Sequence, residues 1–122
     1  MYRSWIFLGA VYAALGVGLG AFAAHALKDM LSEYHQEVFD TANRYQFFHS
    51  FGLIIIGIIQ YQLGYNLDIS GWSFFLGIAL FSGSLYVIAL ADIRWMGAIT
   101  PIGGILFIVG WIWLAFQVYR GN

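Results

Sequence analysis

Four stretches of this chain are almost wholly apolar, and a polar interval separates the first two. The apolar runs cover residues 4–27, 47–63, 71–91 and 100–119. A helix needs about 20 residues to cross a hydrocarbon core of ~30 Å at 1.5 Å per residue, and these runs are close to that length or beyond it. The pattern predicts an all-α integral membrane protein: four transmembrane helices in a bundle, forming one domain over 1–122. The connections are short, at 64–70 (with Asn66 and Asp68) and 92–99. Thr100-Pro101 reads as an N-cap followed by proline in the first helical turn, where its missing N–H costs nothing.

The polar interval, about 29–45, is periodic too. Leu27, Leu31, Tyr34, Val38, Ala42 and Tyr45 recur every three or four residues, with Glu33, Glu37, Asp40 and Arg44 on the other side. This predicts a short amphipathic helix on the membrane surface, capped by Asp29 or Ser32, with an i, i+4 pair between Asp40 and Arg44. Its polar face is acidic, unlike the Lys/Arg-rich face of helices that seek anionic lipid, so it is expected to rest on the protein's own bundle.

The first run has a rival reading as a signal peptide, with Arg3 ahead of it and small residues at 21–26. An h-region spans roughly 7–15 residues, and this run is longer, so a retained helix is expected. Gly9, Ala13, Gly16, Gly20 and Ala24 share one face of it, and Gly16 and Gly20 form a GxxxG. Small residues let helices approach closely where lipid is as apolar as protein. The stripe is expected to pack within the chain, with homo-oligomerisation as the alternative. Trp5, Trp72, Trp95, Trp113 and Tyr119 fall near span ends, as an aromatic belt requires. A faint echo between 52–54 and 104–106 is too short to establish an internal duplication.

Composition supports this reading. Hydrophobic residues make up 61% of the 122 and charged ones 9%, against about 25% charged in a soluble domain. The net charge of −1 argues against nucleic acid, and the absence of cysteine excludes disulfides, thiol catalysis and thiolate metal sites. Four spans put both termini on one side. Arg3 and Arg120 lie there, against Lys28, Arg44 and Arg94 on the other. Arg3 beside the first helix tips the expectation toward cytoplasmic termini.

Candidate chemistry is confined to a few polar residues. His25 lies near the end of the first run and His49 near the start of the second, so both are expected at similar depth near one face. Tyr45, Gln46 and Ser50 join His49 in a candidate ligand or structural cluster. Two imidazoles side by side have several uses: axial ligation of haem, binding of a metal ion with Glu33 or Glu37, hydrogen bonding to a head group or quinone, or proton relay. The structural alternative has them bonding Gln46, each other or backbone carbonyls and locking the helices in register. No haem-attachment or HxxxH motif favours ligation, so neither metal nor cofactor is assigned. Ser82, Ser84 and Tyr86 are the polar side chains deep in the third run; serines there commonly bond the preceding turn. No acid or base lies mid-membrane, which counts against ion-coupled transport. No nucleophile–base pair, zinc motif or phosphate loop stands out.

Four segments in order carry a resemblance: GAFAAHAL, TANRYQFFHSFGL, FSGSLY and TPIGG. They resemble the recurrent segments of domain-of-unknown-function family 423, small polytopic membrane proteins of bacteria with a similar protein in animals. The resemblance runs from about Gly16 to Trp111; where the family commonly reads GAFGAH, this chain has Ala23. It implies a four-helix protein of the cell membrane, most simply the bacterial inner membrane, and implies no activity or site residues. The expected role is therefore non-enzymatic, through helix packing and contact with membrane lipids, a membrane-protein partner or a second copy. A small-ligand carrier using His25 and His49, or an oligomeric channel, stand as the alternatives.

Overall fold

In a computed structural model, described here for residues 1–121, the regular secondary structure of the described residues is all helical. Helix α1 (Tyr2–His25) leads into α2 (Glu33–Leu63). The third span is α3 (Asp68–Gly77), a π-helical turn (Ile78–Ser82) and α4 (Gly83–Ala91). A 3-10 turn (Arg94–Ala98) precedes α5 (Thr100–Arg120). Four helical segments are long and apolar enough to cross a membrane.

The separate surface helix expected over 29–45 does not form. Ser32 caps α2, its Oγ accepting the His35 amide at 3.2 Å, and the helix then runs unbroken to Leu63. Nothing between Tyr45 and Phe47 breaks it, since no glycine or proline interrupts the hydrogen-bond ladder there. Asp29 lies in the preceding turn, and Asp40 and Arg44 form no ion pair among the described residues. Thr100 is the first residue of α5 rather than its cap. Its hydroxyl meets Ser84 Oγ at 2.5 Å and so joins α4 to α5.

Close approaches fix the packing. Gly57 faces Tyr2 and Ile6, Gly9 faces Ser50 and Leu53, and Gly20 faces Asn43, so α1 and α2 run antiparallel. Ser82 Oγ donates to the Ala42 carbonyl (2.7 Å) and Gln60 Nε2 to Asp68 Oδ1 (3.0 Å), which sets the third span antiparallel to α2. Ser70 Oγ donates to the Gly110 carbonyl (2.6 Å), fixing α5 against α3. Helix α2 and the third span thus form the centre, with α1 and α5 as flanks packed on both. Without a hydrophobic force to drive helices together in lipid, such fits and cross-helix hydrogen bonds carry the association.

Phe74 shows the fit most clearly. It is fully buried between Gly52 and Gly110, where an added Cβ would come within 3.0 and 2.5 Å of its ring. Trp5 seats on Gly71 and donates its indole N–H to Asp68 Oδ1 at 3.0 Å. It is fully buried, so it belongs to the interior and not to the aromatic belt. Outward, Ile105, Ile108 and Ile112 of α5 are each about three-fifths exposed, an apolar flank suited to lipid.

Candidate functional site

Two connected sets of polar side chains lie within the membrane-spanning region. In the first, α2 reaches α1 and α4 together. Asn43 Nδ2 donates to the Gly16 carbonyl (2.9 Å) and to Tyr86 Oη (3.1 Å). Tyr86 donates in turn to Gln46 Oε1 (2.5 Å), and Gln46 Nε2 donates to the Tyr12 carbonyl (2.7 Å). Asn43 and Gln46 lie three residues apart and share the inner face of α2. Backbone groups in a bilayer have no water to pair with, so these bonds supplement helical carbonyls on a dry interface. Ser50 closes locally onto the Gln46 carbonyl (2.6 Å).

The second set centres on His49, on the opposite flank of α2. Its Nδ1 lies 2.8 Å from the Tyr45 carbonyl, and its Nε2 lies 2.9 Å from Trp111 Nε1. A carbonyl can only accept and an indole N–H can only donate. The tautomer is therefore fixed: Nδ1 carries the proton and Nε2 accepts from Trp111. The ring is neutral with both nitrogens used. It also stacks on Phe107 (centroids 3.5 Å apart, planes 7° apart) and meets Phe74 edge-on.

His25 joins neither set. It ends α1, is exposed, and its ring makes no hydrogen bond among the described residues. Gly16 lies opposite Phe47 and Tyr12 opposite Gln46, so His49 falls far down α1 from His25. That separation is about 15 Å or more along the axis at 1.5 Å per residue. The expected common depth fails because α2 begins at Glu33, which carries His49 four turns into the helix. Of the expected cluster, Tyr45, Gln46, His49 and Ser50 come together around α2, but they divide between its two flanks. Gly9, Gly16 and Gly20 of the small-residue stripe face α2; Ala13 is half-buried and Ala24 is exposed.

Asn43, Tyr12 and Trp111 escape sequence reading because their partners are 27 to 62 residues away. The two deep serines divide. Ser84 bonds the preceding turn at the Phe81 carbonyl (3.0 Å), whereas Ser82 leaves the π-helical turn to reach α2. One extra residue in that turn re-aims the side chains after it, Tyr86 among them.

Two concavities flank these sets. A groove of about 770 Å³ lies between α2 and α5, its lining including Tyr45, Phe48, His49, Phe81, Ile105, Ile108 and Trp111. A smaller cavity of about 420 Å³ opens where α1 ends and α2 begins, between Gly20, Ala23 and Ala24 on one side and Gln36, Asp40 and Asn43 on the other.

A polar clasp ties the two loops at this end together. His35 Nε2 lies 2.9 Å from Asp92 Oδ1, Arg94 Nε donates to the same oxygen (3.0 Å), and Arg94 lies over the Tyr34 ring. His35 and then Arg94 hold the Asp92 carboxyl below its ordinary value, and Asp92 in turn raises Arg94. Asp92 has φ 55°, a left-handed conformation that ends α4 and that side chains other than glycine's rarely adopt. His35 Nδ1 lies 2.6 Å from Ser32 Oγ.

Comparison with known proteins agrees with this architecture. The family model described as "Protein of unknown function (DUF423)" matches residues 19–104. A UPF0382 membrane protein of Staphylococcus haemolyticus is 48% identical over 97% of both chains. A UPF0382 membrane protein of Staphylococcus epidermidis is 49% identical over 97% of both. One from Staphylococcus saprophyticus is 49% identical over 97% of this chain and 98% of its own. No solved structure matches. With four membrane-length helices and relatives aligned almost end to end, this chain belongs to the DUF423 family, membrane proteins of unknown function.

Proposed function

We propose that this protein binds membrane lipid without catalysis, seating one acyl chain in the groove between α2 and α5. The observation that carries this reading is the groove's shape within its setting. Along α5 it extends from Pro101 to Trp111, a rise of about 15 Å, half of a ~30 Å hydrocarbon core. A trough of that length suits one chain of one leaflet, entering from the side of the Pro101 end. Its lining is apolar and aromatic, and the His49 ring within it has both nitrogens engaged. Chain contact is therefore favoured over coordination, since Nε2 offers no free lone pair to iron or metal.

Ser32, His35 and Asp92 stand in the order of a hydrolase relay, but none of the three lines either concavity, and Ser32 Oγ also caps α2. We read that chain as a clasp between loops. Relatives from bacteria support placing the protein in a bacterial plasma membrane. Arg3 and Arg120 beside the span ends favour cytoplasmic termini.

Photo-crosslinking with a phospholipid bearing a diazirine in one acyl chain tests the seat. Labelled peptides are expected to concentrate at Tyr45, Ile105 and Ile108. Equal labelling of Phe7, Val11 and Leu15, on the outer face of α1, would instead mean ordinary annular lipid and would end the proposal.

A further inference from the structure

We propose that the cavity at the α1–α2 corner binds a zwitterionic aminoalkyl phosphate, the headgroup chemistry of phosphatidylethanolamine. Its phosphate would lie at Lys28 and its primary ammonium at Asp40 and Asn43 Oδ1. The site lies on a different helix pair from the groove and does not depend on it.

The corner combines space with unused polar groups. Lys28 and Asp40 both line the cavity, and neither makes an ion pair among the described residues. Asn43 spends its amide N–H groups inward, on Gly16 and Tyr86, and among the described residues no donor meets its Oδ1. That oxygen faces Gly20, whose hydrogen side chain keeps the space open: an added Cβ would lie 3.1 Å from it. Gln36 is used in the same way, its Nε2 donating to the Lys28 and Leu31 carbonyls while no donor among the described residues meets its Oε1. Three groups that only accept thus converge with one that only donates.

This set selects among headgroups. A ligand must supply several N–H or O–H donors to the acceptors and one anion to Lys28. Charge at the corner narrows the choice. Residues 28–44 hold Asp29, Glu33, Glu37 and Asp40 against Lys28 and Arg44, so a ligand carrying its own cation is favoured over a net anion. A primary ammonium meets both demands with three N–H donors. A quaternary ammonium has the charge but no N–H. Apolar Ala23, Leu27 and Phe39 complete the wall and suit the glycerol end of a lipid entering from the bilayer.

Titration calorimetry of the full chain in detergent, with dihexanoyl phosphatidylethanolamine, phosphatidylcholine and phosphatidylglycerol as short-chain probes, tests this. The ethanolamine lipid is expected to bind most tightly, and Asp40→Asn and Lys28→Gln each to weaken it about tenfold, the loss of one charge-assisted bond. Gly104→Leu, which fills the groove, should leave that affinity unchanged, separating this site from the acyl seat. Unaltered melting temperatures of the two corner variants show that they fold. Equal binding of the choline lipid, tighter binding of the glycerol lipid, or undiminished binding by both corner variants would overturn the proposal.

Discussion

His49 is the residue whose role changes most between chain and fold. As one of two membrane histidines it is a candidate ligand; held between the Tyr45 carbonyl and the Trp111 indole it is a locked, neutral spacer in an aromatic stack. Trp111→Phe would keep a ring but remove the N–H, leaving a buried acceptor unpaired at a cost of about 1–3 kcal/mol. A lowered melting temperature in detergent is expected; unchanged melting would show that the bond contributes nothing. That Gln46, His49 and Ser50 are buried in the protein was legible from the rule that polar groups in a bilayer must be satisfied, while Tyr45 is only half-buried and lines the groove. Their partners were not. Trp111 sits 62 residues from His49, and no local pattern encodes which ring a distant helix will present.

At the scale of elements, the instructive case is the amphipathic start of α2. Its period is identical for a helix lying on the surface and for one that continues into the membrane, so periodicity cannot separate them. The missing break before Phe47 decides it. The consequence is a long helix whose first turns stand at the membrane face beside the α4–α5 loop, where His35, Asp92 and Arg94 form the clasp. The Asp92 carboxyl is held below its ordinary value of 3.8, chiefly by His35 and then by Arg94. A depressed carboxylate contributes stability that is complete above the unfolded value and fades as pH falls through the folded one. Melting temperature should therefore fall below about pH 4, and Asp92→Asn should flatten that part of the profile. The same acid dependence in the variant would place its origin elsewhere. The π-helical turn was not legible, because nothing in Ile78–Ser82 distinguishes it locally from α-helix; it accompanies the fit of Phe81 against Gly103 and the reach of Ser82 to Ala42.

Across the whole molecule, four spans and an all-helical membrane fold followed from hydropathy alone, since length and apolarity are properties of each segment by itself. Which spans lie at the centre did not follow, because that order is set by pairs: Phe74 between Gly52 and Gly110, Trp5 on Gly71. The resulting bundle leaves an aromatic groove on one flank and a polar corner at one end, and we propose lipid as the ligand of both. Native mass spectrometry of the protein released from gentle detergent tests the acyl seat most directly, comparing wild type with Gly104→Leu. A Cβ at Gly104 meets Phe81 at an ordinary 3.8 Å, so a side chain can start from there without a clash at its first carbon. One more phospholipid retained by the wild type than by the variant, with melting unchanged, is the predicted result. A wild type that carries no more lipid than the variant would contradict the account.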